Sequence, residues 1–485
     1  HGLVREKKLA ILEAHFSADL DRLVAVGMEL TRRDWRTRDF SRRQLREALA
    51  MLTATLPVYR TYRSGTRVAD GARDTQILDE TFAQAQANAP SVDPAVFEYL
   101  RHTLGADAAD EEVRDFQARW EQLAPAVMAK GAEDTTFYLY DRLVSCNEAG
   151  AQPWALGISA EHFHQFCHHL ATMWPDNLLA TSTHDNKRSE DVRVRISVLT
   201  ELPAQWAEAV RAWSQLNHPA WRGRSPDRHA EYLLYQTLVG AWPISIDRAR
   251  EYMLKAIREA KVNTSWHEPN ADYEAAILGF TQRILESREF VQALETFVAP
   301  LILPGRINSL AQTLIKLTAP GVPDFYQGTE LWDLSLVDPD NRRPVDFALR
   351  RQFVEQVAEL TVEDVLADWE TGLPKLWLIQ RVLHFRREHP DAFADEALYE
   401  PLVARGARLA HLLGYRRGGD VIVIVPRFTL GFGGDWADTL LTLPPEAAWR
   451  NLFTGAELNG EVTPGQVFGK FPVALLVRAG RSICA

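Results

Sequence analysis

"NLLATSTHDNKRSED", residues 177–191, is the stretch on which the fold turns. An apolar run of strand length, 177–183, ends in Thr183, His184 and Asp185 and then breaks into dense charge that suits a helix starting near Arg188. A buried strand whose C-terminal edge turns polar is how a barrel enzyme places side chains at the mouth lined by its βα loops. The same residues admit a plainer reading. Asp185 can cap the following helix, with Lys187, Arg188, Glu190 and Asp191 as a solvated charged face.

Outward from this stretch, helical periodicity dominates up to about residue 390. It covers 3–28, 43–53, 91–122, 188–214, 226–239, 246–260, 270–298, 306–318, 346–367 and 374–389. Apolar runs of strand length lie between them at 56–62, 125–129, 177–183 and 322–326. Short buried strands alternating with helices predict an α/β layer arrangement with a parallel sheet. Beyond "HPDAF" at 389–393, β-like runs at 407–415, 420–426, 438–443, 448–453 and 472–478 alternate with turn residues, which predicts a small antiparallel β domain at 395–485. The predicted domains are thus 1–394 and 395–485, with a polar helical insertion at about 63–125.

Bulk properties narrow the function. The net charge of -11 and a pI near 5.8 argue against nucleic acid or an anionic membrane as partner, since either needs a basic face. A neutral substrate fits. Cys146, Cys167 and Cys484 are too few for a disulfide framework and form no C-x-x-C pair, so a reducing, cytoplasmic location is expected. Uninterrupted apolar stretches such as "VIVIVP" at 421–426 are strand-sized, well short of the roughly 20 residues of a membrane helix. "HGLVREKKLAILEAHF" reads as mid-helix and its first residue is not Met, so the chain is expected to be the later part of a longer protein.

Two further stretches could carry chemistry. In "KGAEDTTFYLYDRLVSCNE", 130–148, Lys130, Glu133, Asp134, Arg142 and Glu148 interleave with Phe137, Tyr138 and Tyr140. Charged groups among rings suit a sugar, whose hydroxyls take hydrogen bonds while its apolar face packs on an aromatic; an amphipathic segment with core aromatics is the alternative. The stretch 308–346 ends in "YQGTE" and "DPDNRRP", a long loop with Glu330, Asp340, Arg342 and Arg343 that also reads as ordinary turn sequence. His162, His164, His168 and His169 form i,i+4 pairs without a carboxylate-rich partner stretch, and no metal is expected there.

Taken in order, "VMAKGAEDTTFYLYDRLVSCNEAG" at 127–150, "LATSTHDNKRSEDVRVRISVLTELP" at 179–203, "KVNTSWHEPNADYEAAI" at 261–277 and "LTAPGVPDFYQGTELWDLSLVDPDNRRPVD" at 317–346 resemble the α-amylase clan of glycoside hydrolases. More narrowly they are similar to its maltooligosyltrehalose synthase family. The resemblance implies the later part of a (β/α)8 TIM barrel with large helical insertions and a C-terminal antiparallel β-sandwich. It also implies an isomerase that converts the reducing-end α-1,4 bond of a maltooligosaccharide into an α,α-1,1 bond by a retaining double displacement, with no cofactor. Asp185 matches the clan's carboxylate that grips the reacting sugar, and His184 would bind the same ring. Lys130, Glu133, Asp134, Phe137 and Tyr138, with Lys187 and Arg188, are expected to hold the released glucose; Glu330, Asp340, Arg342 and Arg343 are expected at the donor-site wall.

No stretch here resembles the one that carries the family's nucleophile Asp, and the acid/base Glu has no match either; "GARDTQ" at 71–76 does not fit. The chain alone is therefore expected to be inactive. An amylase-like or trehalose-releasing glucan hydrolase and a non-catalytic glucan-binding fragment are the rival readings. Pairing with a trehalose-releasing hydrolase is the expected functional partnership.

Overall fold

The structure, a computed structural model, describes residues 1–62, 71–105, 110–223, 225–394, 397–431 and 433–480; Cys484 lies outside them. The chain divides into two compact units, residues 1–141 with 256–270 and residues 142–255 with 271–485.

The first unit is helical: α1 (Gly2–His15), α2 (Ser17–Thr31), α3 (Arg42–Thr55), α4 (Gly71–Asn88), α5 (Pro94–Gly105) and α6 (Glu111–Met128), followed by a π-helical turn, Ala129–Glu133. Spacing explains the helices. In α2, Leu20, Leu23, Val24, Gly27 and Leu30 share one buried face, and in α6 Phe116, Trp120, Leu123 and Val127 do the same. Side-chain oxygens of Ser41 and Asp110 accept from Gln44 N at 3.2 Å and Glu112 N at 2.9 Å, closing the open N-termini of α3 and α6. Trp120 buries its ring in this core and donates its indole N–H to Thr53 Oγ1 at 3.0 Å, so the ring's one polar group is partnered.

Two expected strands fall in this unit and neither forms. Residues 125–129 finish α6 and begin the π-helical turn. Residues 56–62 follow α3 as irregular backbone, and Arg60 and Thr61 bind the Glu121 carboxylate at 2.8 and 3.0 Å. A short apolar run does not distinguish a strand from buried helix, and at 56–62 the side chains bind a helix instead of pairing in a sheet.

The second unit contains α7 (Ala160–Met173), β1 (Leu178–Ala180), α8 (Glu190–Ser197), α9 (Pro203–Asn217), α10 (Arg228–Ala241), the start of α11 (Ile246–Ala260), α12 (Ala271–Glu286), α13 (Arg288–Thr318) and β2 (Val322–Asp324). Strands β1 and β2 pair in parallel, Leu178 opposite Val322 and Ala180 opposite Asp324, within the runs 177–183 and 322–326 where strands were expected; each is only three residues long, and neither is the buried strand expected, since Leu178 is 68% and Val322 43% exposed. Gly321, at φ +132°, lets them close: a Cβ there would lie 2.6 Å from Asn177 O, the acceptor of Val322 N. α13 is long and apolar enough to cross a membrane by length and composition. Yet Leu294, Val298, Leu301, Leu310 and Leu314 are buried, and it packs on α8 and on α16 (Leu373–Glu388), which follows α14 (Phe347–Gln356) and α15 (Val362–Ala367). It is a core helix.

The chain then forms β3 (Tyr399–Pro401), β4 (Ala404–Arg405), β5 (Leu412–Arg417), β6 (Val421–Pro426), β7 (Leu440–Thr442), β8 (Trp449–Asn451), β9 (Glu457–Leu458), β10 (Glu461–Val462), α17 (Pro464–Phe468) and β11 (Ala474–Arg478). The larger antiparallel sheet runs β3-β5-β6-β11-β8-β9 and the smaller β10-β7-β4. Alternation along β6 and β11 feeds two cores. Val421, Val423, Val425, Leu475 and Val477 join Leu314 of α13 and Trp377 of α16, while Ile422, Ile424, Ala474 and Leu476 join Trp449, Leu441 and Phe468. This explains why "VIVIVP" is apolar at every position.

Candidate active site

The turn between β1 and α8 is held from several sides. Thr183 N donates to Asn186 Oδ1 and Asp185 N to Thr183 Oγ1, the latter at 3.2 Å, so short polar side chains shape the turn locally. Glu148 fixes its second half: its carboxylate accepts from Lys187 N at 3.0 and 3.1 Å, from Arg188 N at 3.3 Å and from Arg193 Nη1 at 3.3 Å. Ser189 N donates to Ser335 O at 2.9 Å, which ties the turn to the loop after β2. The helix cap that the charge pattern suggested belongs to other residues. α8 begins at Glu190, with Ser189 and not Asp185 before it.

With its flanks fixed, the tip of the turn projects outward. His184 and Asp185 are exposed, whereas Asn186, Lys187, Arg188, Ser189 and Glu190 are buried. Arg188 is 1% exposed and its guanidinium donates to Tyr252 Oη at 2.7 Å and to Val144 O at 3.3 Å. Lys187 is 2% exposed.

The loop after β2 supplies a second wall. Asn341 Nδ2 and Arg342 Nη2 donate to His184 O at 3.1 and 3.5 Å. Asp340 receives a two-pronged pair from Arg248, both contacts at 2.8 Å, together with Leu336 N at 2.7 Å and Arg343 Nε at 3.0 Å. Burial raises the Asp340 carboxyl's pKa, but Arg248 and the Leu336 amide outweigh it and leave the group more acidic than usual. Glu330 pairs with Arg350 at 2.9 Å and accepts from Gly328 N at 3.0 Å. The second unit therefore brings Asp185, His184, Arg342, Arg343 and Asp340 to one turn-and-loop pair.

The remaining expected residues belong to the first unit. Lys130 and Asp134 form an ion pair at 2.6 Å across the π-helical turn, Tyr59 donates to the buried Glu133, and Phe137 and Tyr138 are buried. Lys261 Nζ ties Asp134 O and Thr135 Oγ1 to Glu259 O, each at 2.9 Å. Gly131 is required by close packing, because a Cβ there would lie 2.7 Å from Lys8 Cα.

Beneath the turn lies a charge cluster that the sequence reading did not single out. Lys375 of α16, fully buried, meets Glu190 Oε1 at 2.5 Å and Asp191 Oδ2 at 3.0 Å. Lys316 of α13 donates to Thr181 Oγ1 at 2.8 Å and reaches Glu190 at 3.5 Å. Thr181 itself donates to Glu190, and Asp191 accepts from Ser309 Oγ and, at 2.7 Å, from Asp333 N. The signal in sequence was a lysine within "LPKLWLI", an apolar helix start where an exposed lysine has no face to occupy.

A parallel strand pair with an exposed His-Asp turn at its edge, helices around it and an antiparallel sandwich after it define the class: the later part of a (β/α)8 barrel with large helical insertions and a C-terminal β-sandwich. No protein-family model matches the chain. The chain is similar in sequence and fold to maltooligosyltrehalose synthases. It is 39% identical over 368 residues to a putative maltooligosyl trehalose synthase of Mycobacterium tuberculosis, a match covering 74% of this chain and 45% of that protein. The solved maltooligosyltrehalose synthase from Arthrobacter ramosus superposes with a TM-score of 0.83 at 35% identity, over 98% of this chain and 58% of that one. A Sulfolobus tokodaii hypothetical maltooligosyl trehalose synthase gives 0.75 at 28% identity, over 98% and 57%. The chain thus spans about half the length of the relatives it matches.

Proposed function

We propose that this chain carries the sugar-positioning part of an enzyme that converts the reducing-end α-1,4 bond of a maltooligosaccharide or linear α-1,4-glucan into an α,α-1,1 bond. The observation that carries the reading is the exposed His184-Asp185 pair on a turn whose following residues, Asn186 to Glu190, are buried and whose Lys187 and Arg188 amides are held by Glu148; the similarity to the synthases supports it. Asp185 accepts hydrogen bonds from hydroxyls of the reacting ring and favours its distortion toward an oxocarbenium-like transition state, and His184 binds the same ring. The nucleophile and acid/base of the retaining double displacement come from residues outside 1–485.

Lys130 and Asp134 are the accessible groups of this stretch offered to the released glucose, which must be held and turned so that its anomeric hydroxyl attacks before water does, while Glu133, Phe137 and Tyr138, expected to share that task, are buried and support the stretch from within. Glu148, Asp340, Arg343, Glu330 and Arg188 act through the backbone they hold. The trehalosyl product suits consumption by a trehalose-releasing hydrolase. Free thiols at Cys146 and Cys167 suit the cytoplasm.

Product analysis tests the reading. In a complete enzyme containing this chain, incubation with maltopentaose should consume reducing ends without shortening the glucan. A rise in reducing ends identifies a hydrolase instead, and glucan binding with no change in either quantity identifies a binding protein.

A further inference from the structure

The turn that presents Asp185 begins at Thr181 and ends at Glu190, and these two residues are bonded to each other. A carboxylate at one end of a turn that accepts from a hydroxyl at the other end closes it like a clasp. Left alone in the interior this carboxylate would be unfavourable, and it is neutralised by Lys375 at 2.5 Å and Lys316 at 3.5 Å. Lys375 also grips Asp191, whose other partners, Ser309 Oγ and Asp333 N, belong to α13 and to the loop after β2. That loop continues to Asn341 and Arg342, which hold the carbonyl of His184. One buried ammonium therefore fixes both the turn and its facing wall.

We propose that Lys375, clamped between Glu190 and Asp191, is a positioning residue for Asp185 that acts on the reaction through the backbone of 181–191 without touching sugar. The proposal rests on the reading of Asp185 given above. Burial raises the Glu190 pKa, but the charges of Lys375 and Lys316 outweigh it and hold the carboxyl down to about 2, so the clasp stays ionised across the neutral range. Trp332, its ring 6.0 Å from the Lys375 ammonium, caps the cluster.

The test is made in a complete enzyme containing this chain. Lys375→Met combined with Asp191→Asn removes one charge of each sign and leaves Lys316 to balance Glu190. The expected result is a folded enzyme whose kcat for trehalosyl formation from maltopentaose falls about tenfold or more, with KM within about threefold and a larger share of hydrolysis. In residues 1–485 alone, amide hydrogen exchange at 182–189 should accelerate about tenfold while that of β5, β6 and β11 is unchanged. A kcat per folded molecule within about twofold of the parent, or unchanged exchange at 182–189, overturns the proposal.

Should the double variant fail to fold, Thr181→Val removes only the hydroxyl between Glu190 and Lys316. A drop in kcat of about threefold or more supports the proposal, and parental kcat overturns it. Asp185→Asn in parallel separates the two ideas. A parental rate there sinks the reading of Asp185 itself, whereas a loss there with none in the Lys375 and Thr181 variants sinks only the positioning role.

Discussion

Lys8 of the first unit and Lys375 of the second are both buried, and they behave oppositely. In the first unit Lys8 is 1% exposed, and its amine donates to Leu56 O at 2.8 Å. Burial pushes its pKa down to about 7. In the second unit Lys375 is equally inaccessible; burial lowers its pKa too, but Asp191 and Glu190 outweigh that and raise it above the usual lysine range. Desolvation is common to both, so the partner decides which protonation state the fold selects. A lysine against a carbonyl is nearly as well accommodated as a neutral amine, whereas a lysine between carboxylates is required as a cation.

The largest way to break the comparison is Lys375→Met alone. It leaves Asp191 without its ammonium in the interior, with Lys316 still beside Glu190, and should cost about 3–5 kcal/mol in the urea transition of the second unit, where a loss below about 1 kcal/mol would contradict the pairing. Lys8 should act through pH with the opposite character. Between pH 7 and 10.5 the unfolded chain keeps a proton that the folded chain sheds, so stability rises with pH across that window, by up to about 4 kcal/mol. Lys8→Met should flatten the rise, which urea midpoints at pH 7 and 10 would show.

Glu190 gives the next effect, in acid. Its folded pKa lies below its unfolded one, so its stabilisation is complete above pH 4.5 and is lost as pH falls toward 2, by about 3 kcal/mol. Glu190→Gln should make the stability profile shallower over that range. The smallest effect belongs to the surface. Lys130 is 59% exposed in its i,i+4 pair with Asp134, and Lys130→Ala should change stability by no more than about 0.5 kcal/mol while lowering the ratio of transfer to hydrolysis.

The contrast also shows what a sequence discloses. Strands β1 and β2 were legible because each apolar run is bounded by turn chemistry, Pro175 and Asp176 before one and Pro320 and Gly321 before the other. "PAVMA" at 125–129 was not, because Pro125 reads as a breaker yet sits within α6. The His-Asp turn was legible as an exposed polar tip on a strand edge. Glu148, Lys316 and Lys375 were not recognised as its supports, because their contacts with 181–191 cross 39, 135 and 184 residues of sequence and only the fold brings them together.

Asp185→Asn in a complete enzyme containing this chain tests the central claim most directly. The side chain is exposed at the tip of the turn, so the urea midpoint should not move, while kcat for trehalosyl formation from maltopentaose should fall about a hundredfold or more. A variant that forms the trehalosyl product within about threefold of the parental rate would contradict the account.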